Sequence, residues 1–174
     1  MRRTAVLFPA ALAAALLLAP PARADRLGRG WEAPIEEGIQ RQEQERKDRR
    51  PESILRQAEL LAARRSSGDV RIARVYLLAR AYGINGDERS AEGAYKEVLG
   101  LARDCYFAYH DLAMLALARK PPDTRQAERY LRQAVQAHPR YTTGYRKLAR
   151  LLLKEGEART DEAILLLQRV IDLE

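Results

Sequence analysis

Few residues in this chain have the type and spacing that chemistry demands. There are two histidines, His110 and His138, far apart in sequence, and one cysteine, Cys105. No HxxxH, HxxE or paired-cysteine spacing exists, so the sequence predicts no metal site. No serine sits in a nucleophile-elbow context. Gly83 and Gly86 in AYGINGD follow a helical run rather than a strand, so they predict no phosphate cradle. The carboxylates are scattered among arginines and read as solvated helix faces and helix-surface pairs. The expectation is a non-enzymatic protein with no catalytic residue, cofactor or metal. Cys105 has no partner for an internal disulfide. It reads either as a buried small apolar residue or as a thiol for intermolecular pairing.

What chemistry remains is recognition, carried by arginines and aromatic residues on helices. The chain has 174 residues, 47% hydrophobic and 32% charged, which suits one helix-rich domain. Strand-like alternation is nearly absent, and Ala, Leu, Arg, Glu and Gln dominate. After Pro51 a first helix carries Ile54, Ala58 and Leu61 on one face and ends near Ser66 to Asp69. Six more helices follow in three pairs, near 70–85 and 87–101, 106–119 and 124–138, and 142–155 and 160–173. Short polar turns at Gly86, Pro121-Pro122-Asp123, Pro139 and Gly156 divide them.

The pairs repeat. On the second helices Ala91, Tyr95 and Val98 are matched 36 residues on by Ala127, Leu131 and Ala134, and again by Ala163, Leu167 and Val170. On the first helices Val75, Leu78, Ala79 and Tyr82 correspond to Tyr109, Leu112, Ala113 and Ala116, then to Tyr145, Leu148, Ala149 and Leu152. Small residues at Ala79, Ala113 and Ala149, and at Ala91, Ala127 and Ala163, let neighbouring helices cross closely. Tyr82, Tyr95, Tyr109 and Tyr145 fill the holes beside them.

From about Val70 to Glu174 this pattern resembles the tetratricopeptide repeat, a helix–turn–helix unit of about 34 residues. Leu78-Ala79, Tyr82, Gly86-Asp87, Ala91, Tyr95 and Val98 follow the family pattern without insertion. The later copies carry two extra residues in the turn between helices. The resemblance implies an all-α, right-handed α-solenoid of about three helix pairs plus an N-terminal helix. It also implies a concave groove, lined by the first helices, that binds peptides. Here that surface would hold Tyr76 and Arg80, then Phe107, His110 and Met114, then Arg146 and Arg150. Arginines can grip carboxylates with paired hydrogen bonds, so the expected ligand is a protein segment with acidic residues flanking an apolar one. The lysines and asparagines of the family's carboxylate-clamp subset are absent, so a chaperone tail is not implied.

The N-terminus reads as an address. Arg2 and Arg3 precede an apolar run from Ala5 to Ala19, and Ala22-Arg23-Ala24 offers small residues for cleavage before Asp25. Residues 1–24 are thus expected to be a signal peptide and the protein periplasmic or secreted, with no membrane span after cleavage. An uncleaved inner-membrane anchor is the alternative. Residues 25–51 read as a charged flexible linker. Within it Trp31, Ile35 and Ile39 recur every four residues, the spacing of a segment that docks on a groove in this molecule or another. Residues 52–174 form the repeat domain.

The whole chain carries +7, and without Arg2, Arg3 and Arg23 it keeps 28 basic against 24 acidic residues. That modest surplus points to acidic protein segments before nucleic acid. The sequence therefore predicts an interaction scaffold or assembly factor of the bacterial cell envelope. The alternative is a polyanion-binding envelope protein. In the last helix, packing is expected to use Ala163, Ile164, Leu167, Val170 and Ile171. Leu165 and Leu166 then stand in excess, and with no capping helix before Glu174 they predict an interface, such as a homodimer, through this helix.

Overall fold

The computed structural model describes residues 29–48, 51–62 and 68–174. The predicted signal peptide lies outside them. The described residues contain eight α-helices and no strand: α1 (Glu32–Asp48), α2 (Pro51–Ala62), α3 (Gly68–Ile84), α4 (Glu88–Leu101), α5 (Tyr106–Ala118), α6 (Thr124–Ala137), α7 (Thr142–Lys154) and α8 (Thr160–Leu173). Helices α3/α4, α5/α6 and α7/α8 are antiparallel pairs, and each pair stacks on the next. The architecture is the all-α solenoid that the repeat predicts. No described helix is long and apolar enough to cross a membrane.

The sequence positions each turn. Asp87 and Asp123 occupy the same place in successive repeats. Each accepts a hydrogen bond from the backbone three residues on, Ser90 N at 3.0 Å and Gln126 N at 2.9 Å. These are N-caps for α4 and α6. Gly86 precedes the first cap at φ +85°, a backbone setting that costs a side chain dearly. The third repeat has Arg159 at the cap position. It forgoes the cap and instead pairs with Glu128 of α6 at 2.8 Å and Glu162 of α8 at 2.9 Å.

The six alanines of the repeat are fully buried where helices cross. Around them two clusters form one continuous stack. The first is built on α3, α4 and the start of α5, and the second on α5 to α8. Helix α2 covers the outer side of α3 through Ile54, Ala58, Leu78 and Ala81. Leu61, expected on that buried face, is exposed instead. A test of the crossing geometry is Ala113→Leu, which is expected to cost roughly 1–3 kcal/mol through overpacking. A chemical melt unchanged from wild type would refute the close crossing at that residue.

Two expectations are corrected. The stretch read as a flexible linker contains α1, which lies on α3 and is not a tether. The ordering comes from its apolar stripe: Trp31 and Ile35 are buried and Ile39 packs on the same cluster. In α8 the buried residues are Ala163, Leu166 and Val170, while Ile164, Leu165, Leu167 and Ile171 are exposed. Leu166 is therefore core, not interface. The helix buries only the side that faces α7, and that side falls one residue earlier than the sequence reading placed it.

Candidate functional site

The concave surface is shared between the chain itself and solvent. Helix α1 fills its first half. Trp31 is only 4% exposed and rests against Tyr106 and Phe107, with ring centroids 6.1 and 6.4 Å away. Phe107 in turn touches Tyr76 and Tyr141. Gly38 lets α1 come down onto Leu77, since a Cβ there would clash with that side chain. The buried Gln42 donates to the Leu77 carbonyl oxygen at 2.8 Å.

Arg29 clamps the start of this segment across the turns. Its guanidinium donates to Asp104 Oδ2 at 2.6 Å, to Glu32 Oε1 at 2.9 Å and to the Ala137 carbonyl oxygen at 2.9 Å. It also lies 5.8 Å from the Trp31 ring, over its face. His138 stacks on Tyr106 at 4.5 Å beside it. The Trp31 segment thus docks on a groove in this molecule.

Tyr76 and Arg80, expected on the open groove, lie under α1. Tyr76 is 1% exposed, and its hydroxyl donates to Asp111 Oδ2 at 2.6 Å. Tyr95 donates to the same oxygen at 2.9 Å. Arg80 stands 3.8 Å from Asp111 and 3.5 Å from Glu43 of α1. Burial, followed by the Asp111 charge, holds both phenols well above their ordinary range. This centre fastens α3, α4 and α5 together, and through Arg80 it also holds α1. Sequence reasoning overlooked Asp111, although it is the lone acidic residue in the apolar helix YFAYHDLAMLALA.

No family model matches the sequence, and no curated protein sequence matches it. Solved structures do. One crystal structure of MamA aligns with 86% of this chain and 81% of its own, at 14% identity and a TM-score of 0.59. A second covers 87% and 76%, at 13% identity and a TM-score of 0.57. The chain is similar to MamA in fold. At such identities the likeness to MamA concerns the path of the chain, and the site must be judged on its own residues.

The open half of the groove carries the other predicted residues. Arg146 and Arg150 are exposed on α7, with Thr143 beside them. Arg146 reaches Glu174 in an ion pair. Met114 is partly buried against the second cluster. His110 sits between the halves, its Nδ1 3.1 Å from the Tyr141 hydroxyl. Burial pulls the His110 ring below its ordinary 6.5, against an opposing pull from Asp111.

The fold therefore favours the neutral ring. That contribution is present above pH 6.5 and is lost as pH falls below it, because the unfolded chain takes up a proton that the folded one resists. The expected result is an acid-side loss of stability that His110→Gln reduces. Parallel pH–melting curves for the two proteins would contradict it.

Cys105 is fully buried, and burial pushes its thiol up to about 12. It is a packing residue, as the first of its two readings held. Among the described residues no group of three or more His, Cys, Asp or Glu side chains could hold a metal ion.

Proposed function

We propose that the protein works as a non-catalytic interaction scaffold of the bacterial cell envelope. Its recognition surface is the half of the groove that α1 leaves open. The observation that carries this reading is the exposure of Arg146 and Arg150 on α7, one helix pair along from the partly buried Met114 and His110 of α5. Cations flanking a partly covered apolar spot suit a peptide segment with acidic residues around an apolar one. The N-terminal sequence, with its basic start, apolar run and Ala22-Arg23-Ala24, supports export and a periplasmic site of action. The closed half of the groove gives the scaffold a fixed shape, so binding needs little ordering of the protein.

The test is affinity capture from an envelope extract with the wild type and with Arg146→Glu/Arg150→Glu. Loss of a specific partner, with helicity and melting unchanged, is the expected result. A partner retained by the variant would place recognition elsewhere. The surplus of basic residues favours one competing reading, binding to any polyanion. That reading requires capture that collapses between low and moderate salt and ignores peptide sequence.

A further inference from the structure

The α7/α8 pair exposes the surface that the earlier pairs bury. Leu131 and Val135 of α6 are 0% and 3% exposed because the next pair covers them. Their equivalents 36 residues on, Leu167 and Ile171, are 39% and 67% exposed. On α7, Leu153 is exposed where its equivalent Leu117 packs into the second cluster. Ile164, Leu167 and Ile171 follow helical spacing and form one stripe, with Leu153 alongside.

One substitution says what this face is built to meet. In the interior pairs the position of Ile164 is a glutamate that binds an arginine from the following pair. Glu92 pairs with Arg119 at 2.6 Å and Glu128 with Arg159 at 2.8 Å. On α8 the glutamate is replaced by isoleucine, so a following repeat of the same kind would bring its arginine against an apolar side chain. A centre without charge suits contact with an equally apolar surface.

The rims carry opposite charges. At 3.6 residues per turn, Asp161 and Asp172 border the stripe on the side of α8 away from α7. Arg146 and Arg150 border Leu153 on the outer side of α7. We infer that the face made by Leu153, Ile164, Leu167 and Ile171 binds a second copy of this chain. The two-fold axis runs along the helices.

That axis lays α7 of one copy over α8 of the other, so each basic rim meets an acidic rim. An axis across the helices would instead set acid against acid and base against base. The contact is isologous and closes on itself. Helix α8 has 14 residues, so the face is about 21 Å long. That makes the interface a small one, and association is expected to be weak, at roughly micromolar protein or above.

Sedimentation equilibrium on the full chain tests this, comparing wild type with Leu167→Gln/Ile171→Glu. Both residues are exposed, so the variant is expected to keep wild-type helicity and melting. The expected outcome is a two-copy mass for the wild type and a one-copy mass for the variant. A wild type that stays single up to about 1 mM, the weak limit of measurable association, would overturn the inference. So would a variant that associates as strongly as the wild type, since another surface would then be responsible. Neither substitution touches Arg146 or Arg150, so failure here is separable from failure of the groove.

Discussion

Asp111→Ala is expected to lower the stability of the protein by roughly 3–5 kcal/mol, the cost of stranding buried polar partners without their counter-ion. One oxygen of this carboxylate accepts from both Tyr76 and Tyr95, and the Arg80 guanidinium stands nearby. Removing it orphans two phenols, one fully and one nearly fully buried, and leaves a partly covered cation with the exposed Glu43 as its remaining ion partner among the described residues. Asp111→Asn keeps an acceptor and is expected to lose distinctly less. Chemical denaturation of the three proteins checks the order. Equal stability of wild type and Asp111→Ala would show that the centre does not fasten the first two pairs.

The same centre sets an alkaline limit. Tyr76 and Tyr95 are held above their ordinary 10 by burial and by Asp111. Their contribution is complete below pH 10. As pH rises above it, the unfolded chain ionises and the folded one resists, so stability falls.

Trp31→Ala is the second large effect, expected at roughly 3–5 kcal/mol by analogy with other buried tryptophans. The loss has a particular location. Trp31 joins α1 to Tyr106 and Phe107, far along the chain, and Arg29 braces it from the other side. Without the indole, α1 keeps Ile35 and Gln42 but loses its anchor. Limited trypsin digestion reads this directly. Cleavage at Arg41, Arg46 or Lys47 is expected to quicken in the variant well before the repeat pairs are cut. Uniform cleavage of both proteins at those sites would contradict the anchoring.

The repeat pairs were legible because their rule is local and recurs. Ala79, Ala113 and Ala149 mark the crossings, and all three are buried. The place of α1 was only half legible. The spacing of Trp31, Ile35 and Ile39 announced a docking stripe, but the charge-dense QRQEQERKD concealed a helix that ordering on α3 makes possible. Arg80 shows the cost of that ambiguity. The sequence puts it on an open surface because the element that covers it reads as a tether. In α8 four consecutive apolar residues, Ile164 to Leu167, fit more than one register. Only the geometry of packing on α7 selects Leu166. The open residues Arg146 and Arg150 were found because charged side chains on a first helix rarely point anywhere but outward.

The chain closes one half of its own groove with Trp31 and α1 and leaves Arg146 and Arg150 of the other half exposed. Trp31 is the only tryptophan, so its fluorescence reports on that closure alone. The expected result is a blue-shifted emission in the native protein, weak quenching by acrylamide, and a red shift only on unfolding. Native emission already at the position of hydrated indole, freely quenched, would show that α1 does not close the groove.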